Sequence, residues 1–307
     1  MSLPSTIDVA FVNQYQSSLY VLSQQQKSKF VPNVRNEQVM GESKAFDRLG
    51  EAEVEEITTR YPDTPNNEQP HSRRWVTPNS FHTNSYIDNQ DKLKMIINPQ
   101  NEYQQNQARA LGRKMDDKII TAALGTAAAG NTPTTSTVAF KDESVSINGD
   151  GTITTLGTLA VVGTIVDISL AKMATMLRLF DDADVDDQIP LYWAISPKDA
   201  EDLIQLTTYN SIDYNTVKPL TDGRLVQHLG FNLFKSTRLT KDAATSTGYR
   251  TIAWAQDGIV WGSAQGVESH IDERTDKSYT VQVYSKMNGG AVRMDGDKVH
   301  ECLTKVA

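Results

Sequence analysis

A run of acidic residues at positions 181–187 is the segment whose side chains come nearest to a ligand set. Carboxylates at every second residue, beginning with Asp182, are the pattern with which a calcium-binding EF-hand loop starts. The rest of that loop is missing, because its sixth position is Asp187 instead of glycine and its twelfth is Trp193 instead of glutamate. We interpret the run as a solvated loop between a helix and a strand, with an occasional cation site as the alternative.

Cys302 is the only cysteine, and His300 stands two residues before it. Alternation along a strand would place both side chains on one face, where a thiol and an imidazole could act as nucleophile and base. No glycine turn for an oxyanion hole accompanies them, and Ser263 stands one place too early for a nucleophile elbow. The five histidines are scattered, without the spacing of a zinc site. The sequence therefore predicts a structural pair at 300 and 302, no catalytic residue, no metal site and no cofactor.

Two consecutive arginines, Arg73 and Arg74, follow a turn-rich segment. We interpret them as partners in ion pairs across two strands or between chains, opposite Glu51, Glu53, Glu55 and Glu56. A solvated strand face is the simpler alternative, since exposed pairs contribute only about 0 to 1 kcal/mol each. Phosphate binding fits less well, because the nearby acids would repel the phosphate.

The composition limits the class of protein that could carry these residues. The chain has 307 residues and a mass of 34.0 kDa, enough for about two domains. Its net charge of -8 argues against a basic nucleic-acid-binding domain. No apolar run approaches the roughly 20 residues of a membrane span. The absence of any basic residue before Lys27 argues against a secretory signal, and the single cysteine fits a reducing compartment.

Residues 35–91 contain too few apolar side chains to build a core of their own. Short alternating stretches and a turn-rich segment at 61–67 predict two long polar strands joined by that turn. A two-stranded ribbon is at best marginally stable in water, so about 50 residues need support from elsewhere.

Helical periodicity marks four further segments. Val12, Tyr15, Leu19 and Leu22 form one apolar stripe after a capping pair, and Asn98-Pro99 begins a long helix of about 39 Å that ends near Leu124. A helix is also predicted over 166–180, and another after Ser196-Pro197. A tight turn is predicted at 148–151, and strands are predicted at 191–195, 231–234, 251–254, 259–261, 280–284, 291–294 and 299–303. The predicted class is α+β.

The order of these features resembles that of a tailed-phage major capsid protein with the Hong Kong 97-type fold, as in podovirus-like capsid proteins. The stretches that carry the resemblance touch nearly the whole chain: Phe11-Val12-Asn13-Gln14-Tyr15, Lys29-Phe30-Val31, Arg73-Arg74-Trp75-Val76 with Ile87-Asp88, Ala108-Arg109-Ala110 with Met115-Asp116-Asp117-Lys118-Ile119-Ile120, Ala194-Ile195-Ser196-Pro197, and Gly230-Phe231.

The resemblance implies an N-terminal arm at 1–35, an extended β-hairpin loop at 36–87, a peripheral domain at 88–158 and 272–307 around a spine helix at about 99–124, and an axial domain at 159–271. It also implies self-association into hexamers and pentamers of an icosahedral virion shell, assembled in the host cytoplasm. That shell would enclose double-stranded DNA without specific recognition. We expect contacts between subunits at Tyr15, Leu19, Glu51, Glu53, Glu55, Arg60, Arg73 and Arg74.

One member of this fold joins its subunits covalently through a lysine on the ribbon. Here no lysine lies between Lys44 and Lys92, so a non-covalent shell is expected. The resemblance further implies a separate scaffolding protein and a portal. Two alternatives stay open: an encapsulin-type compartment shell, and a soluble α+β enzyme or ligand-binding protein that uses the loop at 181–187.

Overall fold

The computed structural model of the chain describes residues 22–64, 66–88, 100–154, 156–157, 165–205, 227–241 and 248–306. Its helices are α1 (Gln100–Leu124), α2 (Phe140–Glu143), α3 (Leu170–Asp182) and α4 (Pro197–Gln205). Its strands are β1 (Arg35–Gln38), β2 (Lys44–Leu49), β3 (His71–Val76), β4 (Asn79–Ile87), β5 (Ala127–Ala129), β6 (Ser136–Val138), β7 (Ser146–Ile147), β8 (Leu191–Ile195), β9 (Gln227–His228), β10 (Phe231–Lys235), β11 (Gly248–Ala255), β12 (Ile259–Arg274), β13 (Thr280–Arg293) and β14 (Val299–Lys305). The predicted α+β class is confirmed.

The strands form three sheets. Strand order is β1-β12-β13-β4 in the first, β7-β14-β11-β8-β10-β9 in the second and β2-β3-β5-β6 in the third. The second sheet is mixed, because β8 pairs with β10 in parallel and with β11 antiparallel. The parallel pairing of β8 with β10 requires a crossover connection, and α4 lies in that connection.

One core lies where α3 and α4 pack with the six-stranded sheet. Met173, Met176 and Phe180 of α3 are buried with Trp193 of β8 and Leu203 of α4. The apolar periodicity of α3 therefore serves packing. The helix begins at Leu170, with Ser169 as its N-cap, so Val166 of the predicted stripe precedes it. The predicted start of α4 is confirmed, since Ser196 and Asp199 exchange the two hydrogen bonds of a capping box.

A second core surrounds the C-terminal half of α1. Ile119 and Ile120 are buried with Trp254, Trp261 and Phe30. Helix α1 confirms the predicted spine helix over Gln100–Leu124, and at 1.5 Å per residue its 25 residues span about 38 Å. The predicted beginning at Asn98-Pro99 lies outside the described residues, as does the apolar stripe at Val12, Tyr15 and Leu19.

Contacts divide the chain into two compact units. One comprises Met1–Gln26, Phe81–Gly112 and Val267–Met287, and the other comprises Lys27–Ser80, Arg113–Gly266 and Asn288–Ala307. The four-part division into arm, loop, peripheral and axial segments uses other boundaries and stays a prediction. Several strands pair across those predicted boundaries; β14 of the predicted peripheral segment, for example, pairs with β11 of the predicted axial segment.

In the first of these units, Gln107 joins α1 to the neighbouring strands. Its amide nitrogen donates to the Val283 carbonyl at 2.9 Å, and its amide oxygen accepts from the Ser285 hydroxyl at 2.8 Å. Ile87, Val281 and Val283 form a small apolar cluster beside Tyr103.

The prediction of two long paired strands over residues 35–91 is wrong in length. Strands β2 and β3 pair from Lys44↔Val76 to Leu49↔His71, and one further backbone hydrogen bond joins Gly50 to Pro70 at 2.8 Å. Beyond that bond, residues 51–64 and 66–70 carry no strand. The flanking strands pair elsewhere, β1 with β12 and β4 with β13.

Two further predictions concern the turn at 148–151 and three strands nearer the C-terminus. The turn at 148–151 is confirmed: Asn148 donates to the Thr152 carbonyl at 2.8 Å, and Gly151 has φ +90°. The short strands predicted at 259–261, 280–284 and 291–294 belong to the long strands β12 and β13.

Candidate functional site: the base of the ribbon

We use the name ribbon for β2, β3 and residues 50–70 between them, and ribbon base for the paired strands. The two faces of the ribbon base differ, because side chains alternate along a strand. One face carries Phe46, Arg74 and Val76, which are buried. The opposite face carries Asp47 and Arg73, a register pair that stays accessible to solvent.

An arginine hub lies on the buried face, made of Arg48, Arg74, Arg293, Glu143 and Asp295. Arg293 is fully buried, and its Nε lies 2.7 Å from a Glu143 carboxylate oxygen, while Arg74 pairs with the other oxygen. Arg48 reaches Glu143 at 4.0 Å and Asp295 at 3.3 Å. Burial lowers the pKa of the Arg74 guanidinium, and the charge of Glu143 opposes that effect. The Glu143 carboxylate thus connects Arg74 of the ribbon base with Arg293 of the body of the chain.

The position of Arg293 is set by backbone carbonyls. Its terminal nitrogens donate to the carbonyls of Ala123 at 2.9 Å, Gly125 at 2.8 Å and Val138 at 3.3 Å, and its guanidinium lies 5.2 Å from the centre of the Phe140 ring. Two of these carbonyls lie at the C-terminal end of α1, where cations are favoured. Arg293 therefore links the spine helix, the short strand β6 and Glu143 at one point.

The exposed face has a weaker pair. Arg73 Nε lies 2.5 Å from an Asp47 carboxylate oxygen, and the guanidinium lies 5.7 Å from the centre of the Trp75 ring. The Arg73 hydrogen bond lowers the pKa of Asp47, but both side chains are largely solvated, so solvent screens the pair and it contributes little to stability.

Arg73 forms the expected ion pair across the two strands, but its partner is Asp47 and not one of the ribbon glutamates. Cross-strand register puts Asp47 opposite Arg73 and Phe46 opposite Arg74, whereas the glutamates lie beyond the paired strands. Arg74 is 5% exposed and committed to Glu143, so we remove it from the side chains expected between subunits. Sequence reasoning missed Glu143 and Arg293, which carry no local signal because their partners are distant in the chain.

The distal ribbon is solvated in the single chain. Its glutamates Glu51, Glu53 and Glu55 are exposed, and Arg60 lies over the neighbouring Tyr61 ring at 5.5 Å. Three large apolar side chains are also exposed: Val54 at 93%, Ile57 at 77% and Tyr61 at 86%. Roles for Glu51, Glu53, Glu55, Arg60 and Arg73 between subunits stay predictions, and the expected contacts at Tyr15 and Leu19 lie outside the described residues.

Asp116 of α1 is a second anchoring point that sequence reasoning missed. This buried carboxylate accepts hydrogen bonds from the Ser28 hydroxyl at 2.5 Å, the Lys29 amide at 3.2 Å and the Phe30 amide at 3.3 Å. The Phe30 ring stacks on Trp254 with centroids 5.5 Å apart. The C-terminal part of the predicted arm is thus fixed to the spine helix at residues 28–30.

The other chemical candidates have structural roles. Burial raises the pKa of the Cys302 thiol to about 12 and lowers the pKa of His300 to about 4, so both groups are neutral near pH 7. Both are buried, and the His300 ring packs against Phe180 with centroids 4.8 Å apart. This fits the predicted structural pair.

The acidic run at 181–187 leads out of α3. Asp186 accepts a hydrogen bond from the Gln188 amide at 2.9 Å, which shapes the loop. Within the part of the chain that the structure describes, no three His, Cys, Asp or Glu side chains come together as a metal site, and no helix is long and apolar enough to cross a membrane.

Comparison with known proteins gives a family and a fold. A family model described as phage capsid protein matches residues 7–306. The capsid asymmetric unit of cyanophage Pam1 matches with a TM-score of 0.74 and 14% identity, covering 100% of both chains. The capsid structure of cyanophage P-SCSP1u matches with a TM-score of 0.72 and 16% identity, covering 98% of this chain and 95% of that one.

A structure titled Mycobacterium phage Che8 matches with a TM-score of 0.69 and 13% identity, covering 95% of this chain and 97% of that one. No curated protein matches the chain. These neighbours share its fold, and the predicted resemblance is confirmed. With a family model that spans almost its whole length, the chain belongs to the phage capsid protein family.

Proposed function

We propose that this chain is the major capsid protein of a tailed phage, and that its copies assemble into the hexamers and pentamers of an icosahedral shell around double-stranded DNA. The observation that carries the proposal is the contrast within the ribbon. Its base is held by the buried ion pair of Arg74 with Glu143, which Arg293 also contacts, whereas its distal residues expose Val54 and Ile57. A rigidly mounted but uncovered segment gains its apolar contacts when neighbouring copies cover it.

The four predicted segments carry over to this proposal as arm, ribbon loop, peripheral and axial parts, with β14 pairing into the axial sheet. Head-to-tail contacts between such parts are heterologous and close into rings by rotation. The net charge of -8 suits a wall that confines DNA without binding it tightly. The role is structural instead of catalytic, with assembly in the host cytoplasm assisted by a separate scaffolding protein and a portal.

Electron microscopy and light scattering of the purified full chain, alone and co-expressed with a scaffolding protein, test this proposal. We expect closed shells or ring-shaped capsomers. A single small species under all of these conditions would refute it.

A shortened-ribbon variant provides a matched control. Because Gly50 and Pro70 are already hydrogen-bonded, residues 52–68 can be replaced by a short glycine-containing turn that leaves β2 and β3 paired. This variant should melt at nearly the wild-type temperature and fail to assemble. Normal shells from the shortened chain would show that the ribbon does not carry assembly.

A further inference from the structure

Strand β3 has an open edge at the ribbon base. Strand β2 occupies one side of β3 along its whole length, but β5 pairs on the other side only at Arg74↔Ala129. At Gly130, with φ +88°, the chain leaves the sheet. The backbone of His71–Arg73 therefore borders an unfilled cleft of about 720 Å³, whose opposite wall includes Ala129 and Val138.

An open strand edge binds extended chain, because its free N–H and C=O groups continue the ladder of a sheet. Three residues of edge are about 10 Å long, which is enough to align three residues of an added strand. The two walls differ in character. One wall is polar, with the imidazole of His71 and the guanidinium of Arg73 beside its partner Asp47, whereas Ala129 and Val138 offer apolar surface on the other.

The segment Glu51–Ile57 of the ribbon has the matching pattern. From Glu51 to Glu55 its sequence alternates acidic and apolar side chains, so an extended conformation would put Glu53 and Glu55 on one face and Val54 on the other. In the single chain these residues have no strand partner and lie in solvent.

We propose that the cleft beside β3 of one copy receives the segment Glu51–Ile57 of a second copy as an added β-strand. The inference rests on the proposed function, since it names the partner surface of the ribbon. Pairing of Val54 with Ser72 places Glu53 and Glu55 beside His71 and Arg73.

The same register turns Val54 toward the apolar wall. Directly paired residues share a face of the sheet, so Ala129 lies on the face of Arg74, and so does Val138 through its pairing with Ala127. Ser72 lies on that face too, because it is two residues from Arg74. Val54 opposite Ser72 would therefore approach Ala129 and Val138 and lose much of its 93% exposure.

The position of the open edge of β3 indicates that the segment in the cleft comes from a second copy of the chain. The ribbon of the same chain continues from β2, and β2 lies on the opposite, filled edge of β3. Charge favours the pairing as well, because Glu53 and Glu55 would approach the Arg73 guanidinium, which is 40% exposed and would then be shared with Asp47.

Disulfide trapping tests the register. Val54→Cys and Ser72→Cys are made in separate, differently tagged chains, which are mixed, assembled and oxidised. The native Cys302 is fully buried and does not compete. Directly paired strand residues have Cβ atoms about 4.5–5.5 Å apart, close to the spacing of a disulfide. We expect a mixed-tag dimer on non-reducing gels from assembled material, and little from unassembled chains.

A chain with Tyr61→Cys, also on the exposed ribbon but outside the segment, is the matched control partner for Ser72→Cys. In a second arm, Arg73→Glu should lower the yield of the Val54–Ser72 disulfide about fivefold, and Glu53→Arg in the partner should restore it. Shells that form without the mixed dimer, or with equal trapping at Tyr61, would overturn this inference and leave the proposed function intact. Failure of the wild-type chain to form any shell or capsomer would overturn both.

Discussion

Removal of the Glu143 carboxylate is the sharpest test of how the ribbon is held. In Glu143→Ala, Arg74 loses its ion pair and Arg293 keeps only backbone carbonyls, so two buried cations lose their counter-charge. Breaking one partner of a buried ion pair costs about 3–5 kcal/mol of unfolding free energy. For a unit of about 200 residues, each kcal/mol lowers the melting temperature by about 2–4 °C. We expect the unassembled full chain to melt about 10 °C lower.

The assay is thermal unfolding of the unassembled chain, followed by near-UV circular dichroism and by proteolysis of the ribbon. Glu143→Gln provides a milder variant, because the amide keeps one acceptor oxygen, and we expect about half the shift. Asp47→Ala is the matched control, since it breaks the solvent-screened Arg73 pair on the exposed face of the same strands and should leave the melting temperature nearly unchanged. Equal melting temperatures for Glu143→Ala and Asp47→Ala would refute the role of the hub.

Three further predictions concern pH, the arm and covalent linkage. The pKa of His300 is about 4 in the folded chain against an ordinary value of 6.5. The stability that depends on a neutral His300 is therefore fully present above pH 6.5 and is lost as the pH falls from 6.5 to 4. Protonation of His300 should therefore remove about 2 kcal/mol of unfolding free energy at pH 5. His300→Gln should flatten the plot of melting temperature against pH between pH 6.5 and 4, and an unchanged slope in that range would contradict this. Asp116→Ala should speed tryptic cleavage at Lys29 at least about tenfold, measured by mass spectrometry. Asp117→Ala, which removes the half-buried partner of Arg238 on the same helix, should not; equal rates would contradict the anchoring role of Asp116. Boiled particles should give one band near 34 kDa on SDS gels, and a ladder of multimers would disprove a non-covalent shell.

Periodicity and turn chemistry identified the elements that depend on local sequence. The spine helix, the capping box at Ser196 and the turn at 148–151 follow from side chains a few residues apart, so their signals lie within short windows. The class α+β and the resemblance to capsid proteins followed from the order of these elements. The deficit of apolar residues in the ribbon was also visible, and it predicted that the segment needs outside support.

Tertiary structure decided which side chains meet. Arg73 and Arg74 are adjacent in sequence, yet alternation and register send one to solvent and the other to Glu143, 69 residues away in the chain. In the sequence, Glu143 and Asp116 look like ordinary surface acids. Only the packing reveals that Glu143 lies beside buried arginines and that Asp116 accepts hydrogen bonds from backbone amides. The open edge of β3 likewise exists only because the chain leaves the sheet at Gly130, a consequence of long-range pairing that no local pattern encodes.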